Sequence, residues 1–369
     1  MTLQIDIAHR QGGFDLQVAF AAPPGLTVLF GPSGAGKTTV VNALAGLLRP
    51  DRGRIAVGGR VLVDTAAGVF LPPHRRRIGY VFQEGRLFPH LTVRQNLAYG
   101  RWFAPRGAAR EDMDRVIEML GIGPLLARRP GALSGGERAR VAIGRALLSA
   151  PGLILADEPL AALDEPRRAE ILPYFERLRD QAGVPILYVS HSTAEVARLA
   201  TTVVALRHGR VALVGPAAQV LGDAAAMGAR EVASILPARV VAHHDDGLSE
   251  LEAPGGRLWL PGVAAPVGAA LRLRIPAQEV ILSPAPPGCS TPTGPAAGRI
   301  AQIRPGQGPG VLVTLDLGGA RLVARLTRRS AEALHLAPGQ PCHAIVKSVA
   351  LAPQDILAAP AAAPPDPAA

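Results

Sequence analysis

Lysine is almost missing from this chain of 369 residues, with Lys37 and Lys347 the only two. The rest of the positive charge is arginine, scattered apart from short clusters such as Arg75-Arg76-Arg77, and the formal net charge is +10. No basic stripe with interleaved aromatics occurs, so nucleic acid is not an expected partner, and the charge reads as composition rather than as a polyanion or membrane footprint. A chain so poor in lysine is expected to keep it where a planar guanidinium cannot enter, in a narrow anion site. Cysteine is equally scarce. Cys289 and Cys342 are too few for a disulfide framework, which fits a reducing compartment. Aromatics are only 4%. No apolar run reaches the length that spans a bilayer, so a membrane role must come through partners. The first residues, MTLQIDIAHRQGG, lack the apolar core of a signal peptide.

Apolar periodicity organises what is present. Leu3, Ile5, Ile7 and then Phe14, Leu16, Val18 alternate as strands do, and Leu26 to Phe30 is a short buried strand. A Gly-rich loop follows, then a helical pattern through Val40, Val41, Leu44, Leu47 and Leu48. Ile78 to Phe82 is another strand, and Ala139, Ala142, Ile143, Ala146 and Leu147 form one face of a helix. Leu153–Ala156 and Ile186–Val189 read as buried parallel strands. Strands alternating with helices predict an α/β sheet covered on both faces. After about residue 232, short apolar stretches punctuated by Pro and Gly predict a small all-β barrel or sandwich. The expected domains are 1–232 (α/β), 233–287 (a connecting β segment) and 288–353 (a β domain), with 354–369 an Ala/Pro tail that cannot bury a core.

Gly31-Pro32-Ser33-Gly34-Ala35-Gly36-Lys37-Thr38 fits G-x-x-x-x-G-K-[ST] between strand and helix. Glycines let backbone N–H groups face phosphate oxygens, and the helix N-terminus adds positive potential. Lys37 supplies a point charge to the β- and γ-phosphates, Thr38 a hydroxyl for Mg²⁺, and Thr39 continues the loop into the helix. Leu153-Ile154-Leu155-Ala156-Asp157-Glu158 is an apolar strand ending in two acids. Asp157 is the candidate Mg²⁺ ligand and Glu158 the candidate general base, a division of labour that leaves the base uncommitted to metal. Gln83 follows the Ile78–Phe82 strand, where an amide can reach Mg²⁺ or water. His191 ends the Ile186–Ser190 strand on the ligand side of such a sheet.

Leu133-Ser134-Gly135-Gly136-Glu137 resembles the ABC signature motif, placed about 97 residues after Lys37 and about 23 before Asp157. With the phosphate loop and LADEP, it marks the chain as similar to ABC transporter ATPases over residues 1 to about 232. The resemblance implies a P-loop nucleoside triphosphatase fold with a helical subdomain, an ATPase activity, and a homodimer. In that pair the phosphate loop of one copy and Ser134, Gly135, Gly136 and Glu137 of the other close on one ATP. It further implies that Gln83 is the Q-loop glutamine, Ala161-Ala162-Leu163-Asp164 the D-loop, and His191 the switch histidine. The signature ends in Glu137 rather than the commoner Gln, and Phe14 is the one aromatic near the usual adenine position.

Arg76 to Gln83, Arg86 to His90, Val141 to Leu148, Leu187 to Ser192 and Ile345 to Val349 resemble the ATP-binding subunit of molybdate importers. That likeness implies integral-membrane permease partners, an external substrate-binding protein, and a peripheral place on the cytoplasmic face of the cell membrane. It also implies that residues 84–90 face the permease, and that the β domain is an OB-like, Mop-type module. Lys347-Ser348 and Ser290-Thr291 match its oxyanion positions, while Thr293-Gly294 departs from the pattern. Sulfate, sugar, polyamine and ferric iron are alternative cargoes for the same motor. A soluble ABC ATPase of repair or translation is disfavoured by the lack of tandem cores or long coiled-coil inserts.

Overall fold

The computed structural model describes residues 2–82, 85–102, 112–161, 163–181, 183–228, 231–286, 296–306, 308–347, 351 and 355–358. Contacts divide the chain into two units, Met1–Ala217 and Ala218–Ala369. Residues 218–232 therefore group with the strands that follow them.

The first unit is built on an eleven-stranded sheet. Its opening strands, Leu3–Gln11 (β1) and Phe14–Ala22 (β2), pair antiparallel from Leu3 opposite Ala22 to Gln11 opposite Phe14. Their alternation buries one face, with Ile5, Ile7, Leu16 and Val18 inside. Leu26–Phe30 (β3) is buried at every position and leads into helix α1, Lys37–Ala45. Arg52–Val57 (β4), Arg60–Asp64 (β5) and Val69–Phe70 (β6) extend the antiparallel edge beyond β1, and Ile78–Val81 (β7) forms the opposite edge. Helices Val93–Trp102 (α2), Met113–Leu120 (α3) and Gly135–Leu148 (α4) follow.

The chain then alternates through Leu153–Asp157 (β8), Glu165–Gln181 (α5), Ile186–Ser190 (β9), Thr193–Leu199 (α6), Thr202–Arg207 (β10) and Arg210–Gly215 (β11). The sheet order β7-β8-β9-β3-β10 is parallel throughout. Near-continuous Val, Ile and Leu runs in β3, β8 and β9 follow from burial on both faces. Because these strands are parallel, the loops after β3, β7, β8 and β9 leave along one edge, where open α/β sheets bind ligands.

The second unit opens with two short helices, Ala217–Leu221 (α7) and Ala224–Met227 (α8). Ala233–His243 (β12), Leu248–Ala253 (β13), Gly256–Pro261 (β14), Ala270–Pro276 (β15) and Val280–Ser283 (β16) come next. Ala296–Pro305 (β17), Gly310–Asp316 (β18), Arg321–Thr327 (β19), Arg328–Ala333 (α9), Pro341–Val346 (β20) and Ile356–Ala358 (β21) complete it. The strands form two five-stranded antiparallel sheets, β14-β13-β12-β15-β21 and β16-β20-β17-β18-β19. Leu236, Leu251 and Leu273 of one sheet and Val313, Leu322 and Ala344 of the other belong to a single apolar cluster. Pro237 sits within β12 because pairing with β13 begins only at Arg239. At Pro237 the strand is hydrogen-bonded to β15 alone, so the missing N–H breaks no second ladder.

Candidate active site

The phosphate loop, the paired acids, His191 and the signature each lie at a strand or helix end. After β3 the chain turns through Gly31 to Gly36 into α1. A side chain at Gly31 would place its Cβ 2.4 Å from the Leu206 carbonyl oxygen, so only glycine allows β10 this close. Gly36 caps α1 at φ 102°, and a Cβ there would meet Leu16 at 2.6 Å and the Phe14 ring at 3.2 Å. The Lys37 side chain is buried, and its Nζ donates to the carbonyls of Gly31 at 2.7 Å and Pro32 at 3.1 Å. The ammonium is thereby held against the loop. Pro32, Ser33, Gly34 and Thr38 are exposed, and Thr39 is half-buried.

Asp157 closes β8 beside Glu158. The Tyr80 hydroxyl, on neighbouring β7, donates to Asp157 Oδ2 at 3.2 Å. Burial raises the Asp157 pKa; the Glu158 charge adds to that, while the Tyr80 hydrogen bond and Lys37 oppose it. Burial, together with Asp157, also raises the Tyr80 pKa, so this phenol stays a donor. From sequence Tyr80 stood only as a strand residue within the Arg76 to Gln83 likeness, with no role at the site. The signal was a tyrosine in an apolar strand, whose hydroxyl must find a partner when buried.

Glu158 adopts φ 44°, left-handed backbone that a non-glycine residue rarely takes. Its N–H donates to Val189 O at 3.2 Å, fixing it against β9. Its Oε2 lies 3.5 Å from His191 Nδ1. Backbone strain of this kind clusters at active sites and ligand clamps. Lys37, Tyr80, Asp157, Glu158 and His191 therefore share the C-terminal edge of the parallel strands. Gln83, directly after Phe82, lies outside the described residues, as does Ala162.

The signature is a helix start of high local order. Ser134 Oγ accepts from Glu137 N–H at 3.2 Å, and Glu137 Oε2 accepts from Ser134 N–H at 2.7 Å, a reciprocal capping box. That Ser134 N–H, aided by Arg128 and Arg140, keeps the Glu137 carboxyl below its ordinary range. Ser134 and Glu137 hold each other, Glu137 also faces Arg128, and Ser134 O accepts from Arg138 N–H; these partners all lie outside the phosphate loop of the same chain. Gly135 instead approaches the next motif: a Cβ there would lie 3.0 Å from Leu163. Asp164 is exposed, and its Oδ1 accepts from Arg167 N–H at 3.3 Å.

Beyond Gln83, Arg145 of α4 donates to the carbonyls of Arg86 at 2.8 Å and Gly85 at 3.1 Å and lies over the Phe88 ring. Fully buried Asn96 clamps the same segment. Its Oδ1 accepts from Phe88 N–H at 2.9 Å, and its Nδ2 donates to the carbonyls of Phe88, Leu91 and Thr92. From sequence Asn96 had no role and Arg145 only a place in the Val141 to Leu148 likeness. Leu87 and Phe88 are half-buried and Pro89 is exposed.

In the second unit, Lys347 follows β20, is exposed, and donates its N–H to Glu279 O at 3.4 Å. Ser348, Ser290 and Thr291 lie outside the described residues.

A hard divalent cation fits the donor set at the strand edge. Thr38 and Asp157 offer oxygen only, and a carboxylate that burial disfavours as a bare anion gains from a neighbouring cation. Among the described residues, no cluster of three or more His, Cys, Asp or Glu forms a site that would hold the ion without a bound substrate. No described helix is long and apolar enough to cross a membrane.

The ABC transporter family profile matches residues 17–161, and the TOBE domain profile matches residues 297–353. The Mesorhizobium japonicum protein called Molybdenum import ATP-binding protein ModC is 51% identical over 95% of each chain. The Rhizobium etli protein of the same name is 49% identical over 95% of this chain and 99% of its own. Among solved structures, cbiO1 from Clostridium perfringens, part of the ABC transporter complex cbiONQ, aligns with a TM-score of 0.51 at 25% identity. That alignment covers 60% of this chain and 90% of cbiO1. With its phosphate loop, paired strand-end acids, signature helix and C-terminal β unit, the chain belongs to the ABC transporter ATPases, in the family of molybdenum import ATP-binding proteins.

Proposed function

We propose that this ATPase is the motor subunit of a molybdate importer, pairing head to tail with a second copy and driving a membrane permease from the cytoplasmic face. The observation that carries the cargo is the likeness to molybdenum importers along 95% of the chain, β unit included. The loop from Gly31 to Gly36 cradles the phosphates of ATP through its N–H groups, with Lys37 countering their charge and Thr39 at the helix start. Mg²⁺, held by Thr38, Asp157 and Gln83, would neutralise charge on the β- and γ-phosphates. Glu158 takes the proton of the attacking water, and His191 beside it steadies the γ-phosphate end. Ser134, Gly135, Gly136 and Glu137 of the second copy offer their helix N-terminus to the same nucleotide, and Asp164 faces that partner.

The segment after Gln83, held by Arg145 and Asn96, carries closure to the permease, and an external binding protein delivers the cargo. The first unit, to about residue 217, is the motor, and the oxyanion-type β domain over 288–353 belongs to the second unit, where β16 of the 233–287 segment pairs with its β20. There Lys347, Ser348, Ser290 and Thr291 offer one ammonium and several hydroxyls to a tetrahedral dianion. Vesicle uptake with the cognate permease tests the cargo: labelled molybdate accumulates with ATP, whereas accumulation of sulfate in its place refutes the assignment.

A further inference from the structure

Glu195, on α6, has no role in the scheme above, yet it is a carboxylate with 5% exposure behind the site. Its Oε2 accepts from the Ser190 hydroxyl at 2.7 Å and from the Tyr188 hydroxyl at 2.9 Å. Its Oε1 faces Arg168 Nε at 3.6 Å. A carboxylate that deep persists only when donors and a countercharge surround it.

Those partners lead to both sides of the catalytic edge. Ser190 Oγ, while donating to Glu195, accepts from Ser192 N–H at 3.0 Å, and Ser192 Oγ accepts from Glu195 N–H at 3.4 Å. The residues before and after His191 are thus both fastened to Glu195. On the other side, Arg168 donates from Nη2 to Leu163 O at 3.3 Å and from its backbone N–H to Asp164 O at 2.9 Å. The turn ending there starts at Glu158, whose carbonyl accepts from Ala161 N–H at 3.1 Å. The 3.5 Å approach of Glu158 to His191 closes the circuit. Gly135 adjoins it at Leu163.

We infer that Glu195 is a positioning residue that ties the Leu163–Asp164 turn, through Arg168, to the peptide carrying His191. A displacement of that turn by a second copy is then felt at the imidazole and at Glu158 without either touching the partner. This rests on the hydrolytic reading of Glu158 and His191 given above.

The test is steady-state ATP hydrolysis by the full chain with Glu195→Gln, which keeps the shape and removes the charge. Acting through His191, it should lower kcat by about tenfold or more while KM for ATP stays within about twofold. Arg168→Gln should do the same, and the double variant should be no slower than the worse single one. Ser190→Ala, which loses only a hydroxyl, should lower kcat several-fold, whereas Tyr188→Phe, two residues further from His191, should leave it within about twofold.

Unchanged kcat in Glu195→Gln overturns the inference. So does equal damage from Ser190→Ala and Tyr188→Phe, the mark of mere core support. If Glu195→Gln does not fold, Ser190→Ala decides alone, with unchanged turnover counting against the inference. Failure of the hydrolytic reading itself looks different, because the unsubstituted protein would then not turn over ATP, and both ideas would fall together.

Discussion

Arg76 offers the sharpest test of how the phosphate loop is held, because it works from the far end of α1. Its side chain is buried, and Nη1 donates to Ala43 O at 2.6 Å and Leu44 O at 2.7 Å, the carbonyls that close α1. Nε donates to Leu71 O at 2.7 Å, and the guanidinium lies 4.8 Å from the Phe70 ring centroid. A cation at a helix C-terminus also complements the helix dipole. Three charge-assisted hydrogen bonds at about 2 kcal/mol each come to about 6 kcal/mol. Burial opposes this by bringing the Arg76 pKa down to about 10, a dehydration cost of about 3 kcal/mol. The net contribution is about 3 kcal/mol, and Arg76→Ala also loses the aromatic contact.

For a unit of this size such a loss lowers the melting temperature by roughly 6–12 °C. Arg76→Lys should recover less than half, since one ammonium cannot span Leu71 and the end of α1 together. Scanning calorimetry reads the shift, and hydrogen exchange at Val40 to Leu44 should rise with it. A melting temperature within about 2 °C of the parent protein would refute the reasoning.

Three further outcomes follow from the same structure. Asn96→Ala strips a fully buried amide whose oxygen accepts from Phe88 N–H and whose two N–H groups are shared among three carbonyls, and should cost about 2–4 kcal/mol in a denaturant titration. Glu137 has its folded pKa held below 4.5 by the Ser134 N–H. Its ionised cap therefore adds stability above that value and loses it as pH falls through the lower folded pKa. A Glu137→Gln protein should be less stable than the parent at pH 7, and the gap should close as melts are run at progressively more acid pH. Tyr80→Phe removes the donor to Asp157, and Mg²⁺-dependent ATP affinity should weaken by about two- to tenfold in a nucleotide titration.

The phosphate loop, LADE and LSGGE were readable in the sequence because phosphate chemistry demands fixed residue types at short, fixed spacing. The parallel strands were readable for a related reason: β3, β8 and β9 are buried on both faces and so appear as unbroken apolar runs. Tyr80 and Arg76 were not readable, since Asp157 and the end of α1 come near them only in the fold; Asn96 and Glu195 bond mostly to residues close in sequence, yet a single amide or acid in a helix carries no sign that it is buried. Arg76 was named only in its cluster and in the Arg76 to Gln83 likeness, with no role of its own, although it alone of Arg75, Arg76 and Arg77 is buried. β12 escaped notice because Pro237 interrupts it, and the sheet tolerates that proline only where the strand lacks its second neighbour. α7, α8 and α9 are too short to show a helical period.

Two copies of this chain sharing each ATP is the claim on which the motor depends, and molar mass reports it directly. Glu158→Gln in ATP and Mg²⁺, followed by light scattering on a sizing column, should elute as a dimer that reverts to monomer when ATP is withdrawn, with turnover at least about 100-fold below the parent. A monomer at saturating ATP, or a variant that hydrolyses at the parent rate, would contradict it.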